Sequence, residues 1–261
     1  MTVLPKVKEW LQKQGFYLEM DAASAFRAAG FMVRQSSYYT DPETNKPREI
    51  DVEAVSESLY SGIDVRFFIE CKSGDRPWVL LSSRENIYGY NLLHAFGVLS
   101  KRSQDAFRKR VDERGSEILR KFSWLAKGDV VPGYSLRQAF STSKDADIAY
   151  TAAMTVTKAC HCHLISHVAE KVPLTFAAEH PPAFCFAFPV IVVDQPLIQC
   201  TLNSAGEMEL QEIEQGELLF TGHELGASIR IVTKAHLPTF AGQALRVAQQ
   251  IEDELKSELP H

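Results

Sequence analysis

Apolar residues in the N-terminal stretch recur at helical spacing. From Phe16 to Ala29 they fall at Leu18, Ala22, Ala25, Phe26 and Ala29, and Gly30 follows as a helix stop. Val7–Gln14 reads as a shorter helix that ends at Gly15. The period then drops to two. Phe31–Tyr39 predicts a strand, and Thr40–Pro47 is turn chemistry. Arg48–Val55 alternates, with Ile50, Val52 and Ala54 on one side and Glu49, Asp51 and Glu53 on the other. A second turn, Ser58–Gly62, leads into Ile63–Cys71, a strand rich in Val, Phe and Ile. The pattern thus predicts helices followed by a three-stranded antiparallel meander, with a short strand at Trp78–Leu81.

Arg84–Lys171 reads as mostly helical, in three pieces, of which the Ala-rich run Asp145–Val172 is the clearest. Strands return at Phe184–Val193, Leu197–Asn203, Glu207–Ile213 and Ser228–Val232, with Ser204-Ala205-Gly206 as a hairpin turn. Phe240–Leu255 closes the chain as an amphipathic helix. The expectation is an α/β fold with a central mixed sheet flanked by helices. One domain over residues 1–261 is preferred to two: a core at 16–81, a helical insertion at 84–171, and returning strands with a C-terminal helix at 183–261.

Composition adds limits. A chain of 261 residues that is 45% hydrophobic and 23% charged supports a sizeable core and is not a disordered sequence. Its longest apolar run, Ala183–Val193, is too short to cross a bilayer, and no secretory leader is legible at the N-terminus. A cytoplasmic protein with no membrane partner is expected. The five cysteines are an odd number without disulfide spacing, which fits a reducing compartment. The net charge of −5 does not advertise a polyanion binder, but it is unevenly spread. Lys101–Lys127 holds nine Lys/Arg against four Asp/Glu, whereas Asp194 onward holds four against eleven. Arg108, Lys109 and Arg110 are therefore candidates for phosphate contact, with a solvated helix face as the plainer alternative.

The candidate chemistry lies at the end of the third strand, Phe67-Phe68-Ile69-Glu70-Cys71-Lys72. Glu70 and Lys72 are two apart and share a face. A carboxylate and an ammonium at the end of so apolar a strand are costly unless something compensates them. The preceding strand carries Asp51, and a hairpin closing near Ser58–Gly62 would bring it close to Glu70. Two carboxylates that near repel unless a cation lies between them. Mg²⁺ suits such a pair because it takes oxygen ligands and keeps waters. Lys72 would then stand beside an attacking water or a developing negative charge.

Ile50-Asp51 followed by Glu70-Cys71-Lys72 resembles the active-site motif of the PD-(D/E)xK nuclease superfamily, the restriction-endonuclease-like enzymes. Ile50 stands where the name has Pro. The resemblance covers roughly residues 16–81. It implies a restriction-endonuclease-like core on which Asp51, Glu70 and the Cys71 backbone carbonyl hold Mg²⁺, with Mn²⁺ able to substitute, while Lys72 orients or activates water. Glu19, on the helix before the meander, matches a glutamate often found there and is a further catalytic and ligand candidate. The implied function is a metal-dependent endonuclease acting on DNA, in a prokaryotic restriction or anti-phage setting. A repair or recombination nuclease on the same core, and a catalytically silent nucleic-acid-binding or assembly subunit, stay open as alternatives. So does a requirement for a partner protein or a second copy.

Other patterns are weaker. Cys160-His161-Cys162-His163 suggests zinc, but in a helix consecutive residues point about 100° apart and do not converge on one tetrahedral ion. Asp75, Arg76 and Trp78 either line a nucleic-acid path or form a loop anchored by the Trp. Tyr88, Tyr90 and His94 are candidates for base stacking, though core packing is the commoner use. Glu53 is an outer ligand or a solvated strand residue. No Ser/His/Asp order, P-loop or dinucleotide fingerprint occurs.

Overall fold

The N-terminal periodicities become α1 (Val3–Lys13) and α2 (Phe16–Ala29), joined by Gly15, whose φ of 86° turns the chain between them. Gly30 at φ 107° caps α2 by returning its N–H to the carbonyls of Phe26 and Arg27. These elements belong to a computed structural model that describes residues 3–56, 62–83, 96–115, 122, 131–142, 145–168, 182–220 and 226–259. The meander follows as β1 (Met32–Thr40), β2 (Pro47–Val55) and β3 (Ile63–Lys72), each antiparallel to the next. Next come β4 (Trp78–Ser82), β5 (Val98–Leu99), α3 (Lys101–Arg114), β6 (Gly133–Gln138) and α4 (Ile148–Val168). The chain continues through β7 (Phe184–Val193), β8 (Leu197–Leu202), β9 (Met208–Ile213), β10 (Gln215–Phe220), β11 (Ala227–Thr233) and α5 (Leu237–Leu255).

Among the described residues eleven strands join one mixed sheet in the order β1-β2-β3-β7-β11-β10-β6-β4-β8-β9, with β5 paired to β7 off this path. The continuous apolar run of β7 is buried at every position, as expected for a central strand covered on both faces. It runs parallel to β3 from Ile63↔Phe184 to Lys72↔Val193, and parallel to β11 over its second half. The carboxyl ends of β3, β7 and β11 therefore lie along one edge of the sheet.

Each face of the sheet has its own core. On one, Leu18, Ala22 and Phe26 of α2 and Phe240, Ala244, Val247 and Ile251 of α5 pack on Phe67, Ile69, Phe188 and Val190. The i, i+3, i+4 spacing of those helix residues supplies that stripe. On the other face, Ala149, Ala152, Ala153, Val156 and Ala159 of α4 pack on Phe68, Ala187 and Ile191. Their small side chains bring α4 close to the strands. Among the described residues no helix is long and apolar enough to cross a membrane.

The helical-insertion reading of 84–171 is corrected here. β6 lies inside that segment and pairs with both β4 and β10, and α4 covers the sheet instead of standing apart from it. Without β6 the strands beyond β10 would be detached from those around β7. The described residues of this segment are thus part of the shared α/β architecture.

Candidate active site

The site begins with a break in strand alternation. Val52 and Ala54 pack on the α2/α5 side, but Ile50 packs on the α4 side. Its neighbour β1 does the same, with Val33 and Tyr39 on opposite sides. Between them lie Ser36 and Asp51, the one position missing from an otherwise regular β1–β2 register, and Ser36 has φ 54°. A non-glycine residue in the left-handed region is uncommon and marks a local kink. The β2–β3 register stops just there, at Val52↔Ile69. Beyond it the Asp51 side chain takes over from the backbone, and its Oδ2 accepts the Cys71 N–H at 2.7 Å. In a strand, the carbonyl of a residue faces the same side as its N–H. The Cys71 carbonyl therefore faces the fork between β2 and β3, beside Asp51.

Glu70 sits on the neighbouring position of β3 and is 7% exposed. One carboxylate oxygen, Oε1, accepts from Lys72 Nζ at 2.6 Å. The other, Oε2, is buried and has no hydrogen-bond partner. Burial first, and the Asp51 carboxylate second, push the Glu70 carboxyl up to about 7, against the pull of Lys72. Asp51 is also raised, by its own burial, although the Cys71 N–H and Lys72 draw it down. Glu19 is raised by burial and by Asp51 and Glu49, and it feels Lys72. Three carboxylates thus share a half-buried edge with one ammonium. Asp51, Glu70, Lys72 and Glu19, drawn from two strands and a helix, lie within electrostatic reach of one another.

This donor set fits a hard divalent cation. Glu70 Oε2 is an orphaned buried acceptor, the carboxyls are short of positive charge, and the Cys71 carbonyl faces the same fork. Among the described residues no three Asp, Glu, His or Cys side chains converge closely enough to enclose an ion by themselves. Two carboxylates, a carbonyl and exchangeable waters are the mixture that Mg²⁺ accepts, whereas zinc in a structural site demands four closed side-chain ligands.

Other candidates fall elsewhere. Arg110 is corrected from phosphate contact to structural anchor. It is buried and bonds Glu254 Oε1 at 2.9 Å and Glu258 Oε1 at 3.1 Å. Lys109 and Arg108 are exposed, with Lys109 3.6 Å from Glu258. The helix that carries all three is tied to the opposite end of the sheet. Arg102 lies over the Phe184 ring, and Phe184 pairs with Ile63, seven residues from the Glu70↔Ile191 pair. That is roughly 23 Å of strand away from the carboxylates. The basic run carries no hint of this, because nothing in it specifies acidic partners more than a hundred residues later.

Glu53 is neither a ligand nor solvated. It is buried and held by Arg66 Nη1 at 2.5 Å and Ser37 Oγ at 3.0 Å. Arg66 also grips Asp64, and His163 Nε2 lies 2.8 Å from the same carboxylate. His163 is thereby committed to the sheet, while Cys162 bonds the Thr40 carbonyl and Cys160 is buried, so this run does not converge on a metal. Trp78 is core, and Arg76 pairs with Asp145 at 2.9 Å, which favours the anchored loop. Tyr88, Tyr90 and His94 lie outside the described residues. No local pattern singles out Tyr39 or Glu49. Tyr39 is half-buried, and burial, Asp41 and Glu70 all raise its phenol, while Glu49 acts on both Asp51 and Glu19. Their place on the Asp51 hairpin is the only signal that points to them.

No protein-family model matches this chain, and neither a curated protein nor a solved structure does.

Proposed function

We propose that this protein is a divalent-metal-dependent nuclease that hydrolyses DNA phosphodiester bonds at Asp51, Glu70 and Lys72, on a core of the PD-(D/E)xK kind. One observation carries the reading: a buried Glu70 whose second carboxylate oxygen has no partner, set beside the Asp51 carboxylate and the Lys72 ammonium. An unpaired carboxylate oxygen in so dry a place is destabilising, and functional sites are where such costs are retained. The meander β1-β2-β3 after α2, with β7 parallel beside β3, supports the same reading.

Asp51, Glu70 and the Cys71 carbonyl would hold Mg²⁺, with Glu19 acting on it through a water, and the ion would supply an acidified water and a Lewis acid for the phosphate. Asp51 fixes the Cys71 peptide through its N–H, which holds the carbonyl of that residue steady at the fork. Glu70 fixes Lys72 by a 2.6 Å ion pair, so the ammonium is already oriented before substrate arrives. Lys72 would face negative charge as it builds on a phosphate or an attacking water.

Purified protein incubated with plasmid, linear duplex, single-stranded DNA and RNA, in Mg²⁺, in Mn²⁺ and in chelator, tests this. Cleavage of DNA that requires the metal and stops on chelation is expected. No cleavage with either metal, or cleavage that persists in chelator, would sink the proposal.

A further inference from the structure

Beside the catalytic edge stands a group of aromatic rings that the hydrolytic chemistry does not use. Trp10 of α1 and Phe16 and Tyr17 of α2 are 53%, 39% and 50% exposed. The Trp10 and Phe16 rings lie 5.9 Å apart, and Lys234 Nζ lies 4.3 Å from the centre of the Tyr17 ring. Rings are normally buried for the apolar area they carry, and a cluster left open marks a binding surface. The cluster adjoins the site. Glu19 is within two or three residues of Phe16 and Tyr17 on α2 and feels the charges of Asp51 and Lys72. Gly15, between Trp10 and Phe16, has its Cβ position 3.4 Å from Ser73, the residue after Lys72. Cations accompany the rings: Lys6, about one helical turn before Trp10, is exposed on α1, and Lys234, just after β11, lies at the Tyr17 ring while also pairing with Asp21 at 2.8 Å.

We propose that Trp10, Phe16 and Tyr17 form a stacking platform for unpaired bases, so that the substrate strand reaches Asp51, Glu70 and Lys72 single-stranded. The proposal rests on the nuclease reading of those three residues. Every base offers a ring face, but in a duplex both faces are covered by neighbouring pairs, so open rings select strands whose bases are free. Lysines among the rings match the phosphates of the same strand. A bilayer or a second copy seated there would press an apolar surface against the Glu19 and Lys72 edge, whereas a nucleotide strand offers bases to the rings and phosphates to the lysines at once.

The test is binding in chelator, where no cleavage interferes. Intrinsic fluorescence and anisotropy are followed as oligothymidylate, a duplex of equal length and an abasic strand of equal charge are added. The single strand should quench tryptophan and bind roughly tenfold or more tightly than the other two. Trp78 is buried, and in a Trp124→Phe background the quench should vanish on adding Trp10→Phe while affinity stays near the parent's, since phenylalanine still stacks. Trp10→Ala and Tyr17→Ala should each weaken single-strand binding by roughly tenfold and leave duplex binding unchanged. Equal binding of single strand, duplex and abasic strand would overturn the proposal. So would undiminished binding by Trp10→Ala, a quench given by anionic lipid vesicles but not by oligothymidylate, or a dimer that Trp10→Ala dissociates while DNA binding stays the same. Selective binding with no cleavage in Mg²⁺ or Mn²⁺ would leave the platform standing and remove the nuclease reading. Metal-dependent cleavage with no selectivity would do the reverse.

Discussion

Replacing Glu70 with glutamine asks whether the buried carboxyl is a strained functional group or half of a stabilising ion pair. In the fold its carboxyl is pushed from 4.5 to about 7 by burial and by Asp51, with the attraction of Lys72 already opposing that rise. The unfolded chain gives up this proton near the ordinary value, so across the window between the two the folded state holds more protons. Stability must then fall as pH rises through that window, and the loss is complete above the folded value. At about 1.4 kcal/mol per pH unit, the cost to the metal-free protein is about 3 kcal/mol. Glu70→Gln removes the titration. Without metal it should melt close to the parent at about pH 4.5 and above it by roughly 5–10 °C at about pH 8. Asp51 and Glu19, whose carboxyls are also raised, contribute a residual slope of the same sign in the variant. Mg²⁺ should lift the parent's melting temperature at the higher pH and leave the variant nearly unmoved, because binding to the folded state alone stabilises it. Thermal melts by circular dichroism, at both pH values with and without Mg²⁺, supply the comparison. A metal-free Glu70→Gln that is less stable than the parent at about pH 8 would refute the reasoning, since Glu70–Lys72 would then be a net stabilising salt bridge.

Two further outcomes are expected. Arg110→Ala takes the buried cation from Glu254, near the end of α5, and from Glu258 in the turn after it, leaving them Arg114 and Lys109, so it should destabilise the protein by about 1–3 kcal/mol in chemical denaturation. It should also leave the salt dependence of DNA binding unchanged, and a flatter slope would return Arg110 to the phosphate contacts. Elemental analysis of protein purified without added metal should find no stoichiometric zinc, because Cys160, Cys162 and His163 point to a buried core, the Thr40 carbonyl and Asp64 respectively. One zinc per chain, lost in Cys160→Ala with Cys162→Ala, would contradict that.

Strong periodicity made the local elements legible. The α2 stripe, the three meander strands, the run Phe184–Val193 and the closing helix all lie within a few residues of where the pattern places them. β6 and β10 were not legible. Gly133-Tyr134-Ser135-Leu136-Arg137-Gln138 has one core side chain, and Gln215–Phe220 opens with Gly216 and the buried Glu217, so neither shows clean alternation. Gly216 is required by packing, since a Cβ there would come within 2.6 Å of Leu80, a contact set by the distant strand β4. The sheet order is equally hidden. β3 meets β7 across more than a hundred residues, and no local signal encodes that pairing. At the site, Asp51, Glu70 and Lys72 could be read from the strand pattern and the motif. The paired kink at Ser36 and Asp51 could not, and it is what turns the Asp51 carboxylate onto the Cys71 peptide. The simple alternation that put Glu53 beside Asp51 failed at that kink.

The central claim is that Asp51, Glu70 and Lys72 cut DNA together with a metal. Its most direct test is the single-turnover cleavage rate, in Mg²⁺, of the parent and of Asp51→Asn, Glu70→Gln and Lys72→Ala, on the DNA form that the parent cuts best. Each variant should stay folded and lose about two orders of magnitude or more, the usual consequence of removing one preorganised charge or ligand from a reacting centre. Three folded variants that cut at the parent's rate would contradict the account.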